Sequence, residues 1–197
     1  MIAFTSYWNQ TMANNEPEKI QVSKLDAARR QLDCAIELWF ADKDDVSIHT
    51  LAAAAHQIIY DINKKRGGRD LYFDSIVIRD EYRGEFVALV KKDMNFFKHA
   101  DKDAEGITEF IPLGSIMFML FSTIGLQQLG ERVNDVENTF VSWLTLHHPN
   151  WIRAAYREKL EQAFSIQYLE EMRGISKQEF FTGFLHALAE HRAKGLA

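Results

Sequence analysis

Cysteine is nearly absent from this chain, since Cys34 is the only one among 197 residues. A disulfide within the chain is therefore impossible, and a zinc site built from several cysteines is excluded. Cys34 falls inside a helical pattern of apolar residues. We therefore expect it to be a small, buried side chain.

Positive charge is also scarce, because 23 Lys and Arg stand against 28 Asp and Glu, for a formal net charge of −5. No global positive field attracts nucleic acid, so any contact with RNA has to come from a local patch. The one compact basic cluster follows the second predicted helix, where its charges also suit the helix dipole. Its candidate phosphate- or RNA-binding residues are Lys64, Lys65, Arg66 and Arg69.

Long hydrophobic runs are missing as well. The most apolar segment, from Leu113 to Leu126, is about 14 residues long and contains small and polar residues, whereas a membrane-spanning helix needs about 20. The first residues lack the charged region and apolar run of a signal peptide. We therefore expect a cytoplasmic protein without a membrane partner, in which this segment forms a central buried helix.

Several catalytic motifs are absent too. The chain has no glycine-rich phosphate loop, no nucleophile-elbow serine, no His-Glu-x-x-His and no paired Glu-x-x-His ligands, which removes most support for NTPases, common hydrolases and helical metalloenzymes. His49 and His56 lie seven residues apart, too far for a simple chelating pair, and are expected at the edge of the core. Residues 101–106 begin like a calcium loop, but Pro112 occupies the position of the bidentate acid, so a solvated acidic loop is expected.

What is present favours one all-α domain. The composition, 47% hydrophobic and 26% charged, is that of a globular protein with one substantial core. Residues 1–22 show no sustained period and are predicted to be a loosely ordered arm, followed by a single helical domain at 23–197. Its core is expected at about 23–145 and its added C-terminal helices at about 151–194, and whether the latter join the core is left open.

Apolar residues recurring every three or four positions predict a bundle of about seven helices. The first two are joined by a very short connection and should pack antiparallel, whereas residues 71–78 favour an extended conformation. Ser23–Asp26 and Ser176–Glu179 have the spacing of capping boxes, and Ser47 is the predicted cap of the second helix. The predicted helices span about 23–41, 47–62, 81–100, 113–129, 132–147, 151–172 and from 176 onward.

The segment from Lys91 to Asp103 combines an apolar stripe with polar groups able to do chemistry. At 100° per residue, Lys92, Asn95 and His99 fall within about 60° of each other, on the face opposite the apolar stripe. Asp93 falls within that stripe, where an unpaired carboxylate would cost several kcal/mol. It therefore needs a cationic or hydroxyl partner, unless the helix is irregular there.

Two stretches resemble HEPN domains, the all-α modules common in prokaryotic toxin–antitoxin and antiviral systems. Residues 28–40 with the alanine-rich helix after Val46 are similar to the first two HEPN helices, and the likeness covers about 23–145. Asn95-Phe96-Phe97-Lys98-His99 is similar to the end of the HEPN motif, in which four to six residues separate an arginine from a following histidine. Here the arginine position holds Met94, Asp93 or Lys92, depending on the spacing.

The resemblance implies a metal-independent ribonuclease or RNA-binding site, with no cofactor, formed across a homodimer. His99 would be the acid or base acting on an RNA 2′-hydroxyl, because imidazole titrates near neutral pH. Lys92 or Lys98 would stabilise the charge of the phosphorane, and Asn95 would orient the phosphate. Lysine is a poor replacement for a bidentate arginine, so the resemblance leaves open whether the chain is an enzyme.

Two alternatives stay open. The chain could be a non-catalytic helical dimer or protein-interaction module with a partner such as an antitoxin, which requires an exposed apolar patch. It could also be a metal-dependent enzyme that uses His99 and Asp101 or Asp103 with a histidine from elsewhere. The candidates for that further ligand are His49, His56 and His147.

Overall fold

The computed structural model describes residues 19–68, 88, 91–101, 103–151 and 154–194. Every regular element in these ranges is a helix, which confirms the all-α fold class. Residues 19–22 are exposed and lack regular structure, whereas the rest of the predicted arm and the segment 71–78 lie outside the described residues. The helices are α1 (Lys24–Phe40), α2 (Asp45–Lys65), α3 (Leu113–Gln128), α4 (Asp135–His147), α5 (Ala154–Ala163), α6 (Ile166–Gly174) and α7 (Lys177–Ala193), with a 3-10 turn at Pro149–Trp151.

Two predicted helices end earlier than expected. The prediction of a single helix over 151–172 is wrong, because the helix is interrupted between α5 and α6. Ser165 accepts a hydrogen bond from the amide of Tyr168 at 3.2 Å and so starts a new helix. The helix predicted over 81–100 is helical at 88 and 91–96 in the described part and then enters a turn. His99 therefore lies beyond the end of its helix.

The helix starts follow the cap chemistry closely. The capping boxes predicted at Ser23–Asp26 and Ser176–Glu179 are both present. The prediction that Ser47 caps α2 is wrong, because Asp44 is the cap and accepts from the amide of Ser47 at 2.8 Å. At the other end of α2, Gly67 has φ +74°, a left-handed conformation that ends the helix at little cost.

Helix α2 is packed against both α1 and α3. Its alanines Ala52, Ala53 and Ala55 are fully buried, and their small side chains allow neighbouring helices to approach closely. Because two helices cover α2, its buried surface is wider than the stripe of an ordinary surface helix. Half of the residues of α3, the most apolar segment, are likewise buried.

An aromatic cluster joins α1, α4 and α7. Phe40, Phe140 and Phe180 are essentially inaccessible to solvent, and the rings of Phe40 and Phe180 stack with centroids 6.2 Å apart. Trp39 contacts Phe140 edge to face at 5.6 Å. Burial of each such side chain contributes about 2–3 kcal/mol. The C-terminal helix α7 thereby packs on the same hydrophobic core as the first helix.

A polar network fixes the start of α4 against α1. The Nε of Arg29 donates to the fully buried carboxylate of Glu137 at 3.2 Å, while Asn134 caps α4 and donates to Asp33 at 2.9 Å. Burial raises the pKa of Glu137 and of Asp33 above their ordinary values, and the neighbouring Arg29 and Asn134 partly offset this rise. Four polar side chains thus satisfy one another at a helix–helix junction.

Cys34 is exposed, so the prediction of a buried cysteine is wrong. The buried side chains of α1 include Leu32, Ala35 and Ile36, and at 100° per residue Cys34 points almost directly away from them. Among the described helices, none combines the length and the apolarity required to cross a membrane.

Candidate functional site

An open hollow of about 590 Å³ lies beside helical residues 91–96 and the loop that follows them. The three catalytic candidates of the sequence, Lys92, Asn95 and His99, all line it. The other described residues of its lining are Phe96 and residues of the loop after His99. Among the described residues, the lining is Lys92, Asn95, Phe96, His99, Asp101, Asp103, Gly106, Ile107 and Thr108.

His99 stays beside Asn95 although the helix has ended. Its amide donates to the carbonyl oxygen of Asn95 at 3.1 Å, the same four-residue hydrogen bond that a helix makes. The amide of Lys98 also donates to this carbonyl, at 3.2 Å. The backbone therefore continues in a helix-like path for one further turn, which keeps Asn95 and His99 on one side.

The loop is tied back to the helical segment through Asp93. The hydroxyl of Thr108 donates to the Oδ1 of Asp93 at 3.1 Å, so the predicted need for a cationic or hydroxyl partner is met by a hydroxyl. Asp93 is half-buried, and this bond joins residues that are fifteen positions apart. It holds the loop at Thr108, which lines the hollow, next to the helical residues.

Gly106 allows the loop to approach the aromatic wall. A Cβ atom at this position would lie 2.9 Å from the carbonyl oxygen of Asp103 and 3.1 Å from Cε2 of Phe96. The first contact is with backbone, which cannot move aside easily. Any larger residue would therefore push the loop away from the ring of Phe96 and change the shape of the hollow.

The hollow carries exposed charges of both signs. Lys92 lines it together with Asp101 and Asp103, and in the described part of the chain no ion pair joins the lysine to either carboxylate. His99 is exposed beside them. Among the described residues of the lining, two carboxylates accompany one lysine, so the hollow offers separate anionic and cationic groups to a ligand.

The predicted phosphate-binding lysines lie elsewhere. Lys98 is exposed but is not part of the lining of the hollow. Lys64, Lys65 and Arg66 are exposed at the end of α2, where the ammonium group of Lys64 lies 5.9 Å from the ring centroid of Tyr60. Arg69 lies outside the described residues. Lys64, Lys65 and Arg66 are thus not part of the described lining of the hollow, and the role of the basic cluster in binding phosphate stays a prediction.

His49 is buried behind the helical segment, although the sequence predicted that it would lie at the edge of the core. His49 and His56 are 2% and 1% exposed, so the prediction of boundary histidines is wrong. The Nδ1 of His49 is 3.0 Å from the hydroxyl of Ser115, and its Nε2 has no hydrogen-bond partner among the described residues. Burial lowers the pKa of His49, which keeps the ring neutral.

The surroundings of His49 are aromatic. Its ring contacts Phe97, Phe110 and Phe118 edge to face, with centroids 4.9 to 5.7 Å away. Phe97 also contacts Phe110 at 5.2 Å, so the residues after the helical segment are anchored to α2 and α3 through this ring. The alanine run beside His49 is the signal that could have identified its burial, because it marks α2 as a helix covered on two sides.

The metal-dependent alternative finds no support here. No group of three or more His, Cys, Asp or Glu within the described ranges could hold a metal ion. His147 stacks on Trp143 with centroids 3.8 Å apart, and His148 stacks on Trp151 at 4.1 Å. The adjacent histidines are therefore engaged with different aromatic rings.

Comparisons with known proteins add no assignment. A scan against protein-family models, a search of the curated proteins and a search of the solved structures each found no match.

Proposed function

We propose that this chain is a HEPN-like helical protein that binds single-stranded RNA in the hollow and cleaves it without a metal ion. The observation that carries the proposal is the convergence of Lys92, Asn95 and His99 on one open hollow. Its volume of about 590 Å³ lies within the range of small-molecule sites, about 300–1,000 Å³. A flipped-out nucleotide is a ligand of that class.

His99 is the residue to which we assign proton transfer. In cleavage without a metal, the RNA 2′-oxygen loses its proton and bonds to the adjacent phosphorus. The bond from phosphorus to the 5′-oxygen then breaks, and that oxygen takes up a proton, which leaves a 2′,3′-cyclic phosphate. Histidine can supply or accept a proton near neutral pH, and its position at the rim of an open hollow gives it access to a bound backbone.

Lys92 and Asn95 act on the phosphate in this proposal. The ammonium group of Lys92 offsets the negative charge that develops on the phosphorane, and the amide of Asn95 donates to a phosphate oxygen. Because lysine binds phosphate as a point charge and not as a planar fork, we expect slow cleavage. Phe96 provides an aromatic surface on which a base can stack.

The proposal includes a biological context. We propose an antiparallel HEPN-like core, a two-fold homodimer and a cytoplasmic role in defence or in a toxin–antitoxin pair. The open side of the hollow leaves room for a second copy of the chain to complete the site. HEPN ribonucleases usually form their active site across a dimer in this way. An antitoxin would then act by covering the hollow.

The test compares wild type with His99→Ala and with His186→Ala, an exposed histidine on α7 whose side chain is 75% accessible. Labelled RNA and total RNA are incubated with each protein, with and without a chelator, after metal analysis of the preparation. We expect chelator-insensitive cleavage that leaves cyclic phosphate ends, falls by about 100-fold or more in His99→Ala, and is unchanged in the control. Absence of both cleavage and RNA binding in wild type would overturn the proposal.

A second candidate function is a non-catalytic interaction module. It is favoured by the exposure of large apolar side chains in and after the loop of the hollow, where Ile107 is 96%, Ile111 71% and Leu113 46% accessible. Here the polar residues of the hollow form the rim of a protein interface. This function predicts self-association that is lost in an Ile107→Asp and Ile111→Asp double variant, measured by sedimentation velocity, with no activity on RNA.

A further inference from the structure

We infer that the hollow selects guanine, through the carboxylates of Asp101 and Asp103. This inference rests on the proposed RNA function and adds the class of base next to the cleaved bond. Its starting point is the lining itself, in which two aspartates accompany Lys92 and His99.

The carboxylates would weaken the binding of phosphate alone, because carboxylate and phosphate are both anions. Among the described residues of the lining, a phosphate meets one lysine and two aspartates, and like charges repel one another even in water. Neither Asp101 nor Asp103 forms an ion pair within the described part of the chain, and both are exposed. They are therefore available to a ligand, and the ligand has to offer them hydrogen-bond donors.

A nucleotide resolves the conflict because its charges and donors lie at opposite ends. The phosphate takes Lys92, Asn95 and His99, which lie on and just after the helical residues 91–96. The base then lies over the loop, whose residues Asp101 and Asp103 line the same hollow. An ionised carboxylate only accepts hydrogen bonds, so it rewards adjacent donors on the edge of a base.

Guanine is the base that presents two adjacent donors on this edge, next to its O6 acceptor. Its N1–H and N2–H₂ groups are adjacent donors that match the two oxygens of one carboxylate. Cytosine and adenine place an acceptor beside their amino group, and uracil flanks its N3–H with two carbonyl oxygens, so each of them sets an acceptor against the carboxylate. Recognition of an unstacked base by its Watson–Crick edge is the usual means of reading single-stranded RNA.

Two further features fit a planar base. Phe96 lies in the lining, and a Cβ atom at position 106 would be only 3.1 Å from Cε2 of its ring, so the glycine leaves room for this aromatic surface. The hydroxyl of Thr108 is already bonded to Asp93 and does not compete for the carboxylates of the hollow. Asp101 and Asp103 are thus left to the ligand.

The experiment measures binding of wild type to five uridine-rich oligonucleotides by fluorescence anisotropy, in the presence of a chelator. The 2′-hydroxyls are replaced by fluorine, which prevents cleavage, and the central base is guanine, hypoxanthine, adenine, cytosine or uracil. Hypoxanthine lacks only the N2 amino group. We expect guanine to bind at least about ten-fold more tightly than the other four. Asp101→Asn and Asp103→Asn together should reduce this preference below about three-fold, because an amide sets its own donors against those of the base.

Glu158→Gln is the matched control, since it removes an exposed carboxylate on α5, outside the hollow. It should keep the guanine preference, and thermal unfolding should show that all variants fold. Equal affinity for the five oligonucleotides would overturn this inference and leave the RNA function standing. Failure to bind any of them would overturn this inference, and together with the absence of RNA cleavage it would overturn the RNA function as well. A guanine preference that survives in the double variant would overturn the assignment to Asp101 and Asp103.

Discussion

The aromatic cluster of α1, α4 and α7 and the hollow beside residues 91–96 are opposites in construction. In the cluster, Phe40, Phe140 and Phe180 are almost completely buried and contact one another or the tryptophans nearby. In the hollow, Lys92 and His99 are exposed. Stability and proposed chemistry are therefore assigned to different residues, and substitutions should separate the two.

The largest effect is expected from Phe180→Ala. Removing a fully buried ring leaves a cavity among packed aromatic side chains, so the free energy of unfolding should fall by about 3–5 kcal/mol, measured by chemical denaturation. The control is Ile166→Ala, a side chain that is 70% exposed, with an expected loss of less than about 0.5 kcal/mol. Equal losses in the two variants would remove the distinction between the cluster and the surface.

The next effect is expected from Arg29→Met. This change removes the cation beside the buried carboxylate of Glu137, and the uncompensated charge should cost about 3 kcal/mol. Arg30→Met is the matched control, because Arg30 is the exposed neighbour on the same helix. Adding Glu137→Gln should recover part of the loss, as measured by a double-mutant cycle. No recovery would show that packing, and not charge, holds this junction.

A smaller effect is expected from pH. Burial lowers the pKa of His49 below the ordinary value of 6.5, so the unfolded chain binds a proton that the folded chain does not. Stability should therefore fall as pH drops below about 6.5, by at most about 1.4 kcal/mol per pH unit for this residue. His49→Gln should remove this part of the slope between pH 5 and 7, whereas the exposed His186→Gln should keep it. An unchanged slope in His49→Gln would assign the effect to other groups.

The smallest effect is expected from Thr108→Val, which removes the hydroxyl bonded to Asp93. The free energy of unfolding should fall by about 1 kcal/mol, the usual value of such a bond. RNA affinity should fall as well, because the loop that lines the hollow at Thr108 is no longer bonded to the helical residues. Thr182→Val, which removes an exposed hydroxyl bonded to its own helix, serves as the control and should leave RNA affinity unchanged. Intact affinity in Thr108→Val would mean that the wall is held by other contacts.

The sequence predicts most accurately the helices whose capping residues lie close together in the chain. Ser23–Asp26 and Ser176–Glu179 lie within one turn, so their spacing alone identifies the start of α1 and of α7. The break at Ser165 was missed because apolar residues continue in period on both sides of it. The burial of His49 was missed for a different reason, since it depends on α3 covering a second side of α2.

The candidate site likewise combines features that follow from local sequence with features that depend on residues far apart in the chain. The grouping of Asn95 and His99 follows from helical periodicity, and it persists because a helix-like hydrogen bond extends beyond the helix end. The need of Asp93 for a partner also follows from its place in the apolar stripe. Its actual partner, Thr108, lies fifteen positions away in a loop, and no local pattern encodes that contact. The loop wall of the hollow could therefore not be predicted.

The exposure of Cys34 gives the chain a single chemical handle. It is the only cysteine in the sequence, and it lies on the outer face of α1. A maleimide dye or spin label will therefore attach at one known position without any substitution, and energy transfer between labelled copies can report self-association. The same thiol can link two chains under oxidising conditions, so a dimer counts as non-covalent only when it persists in reductant.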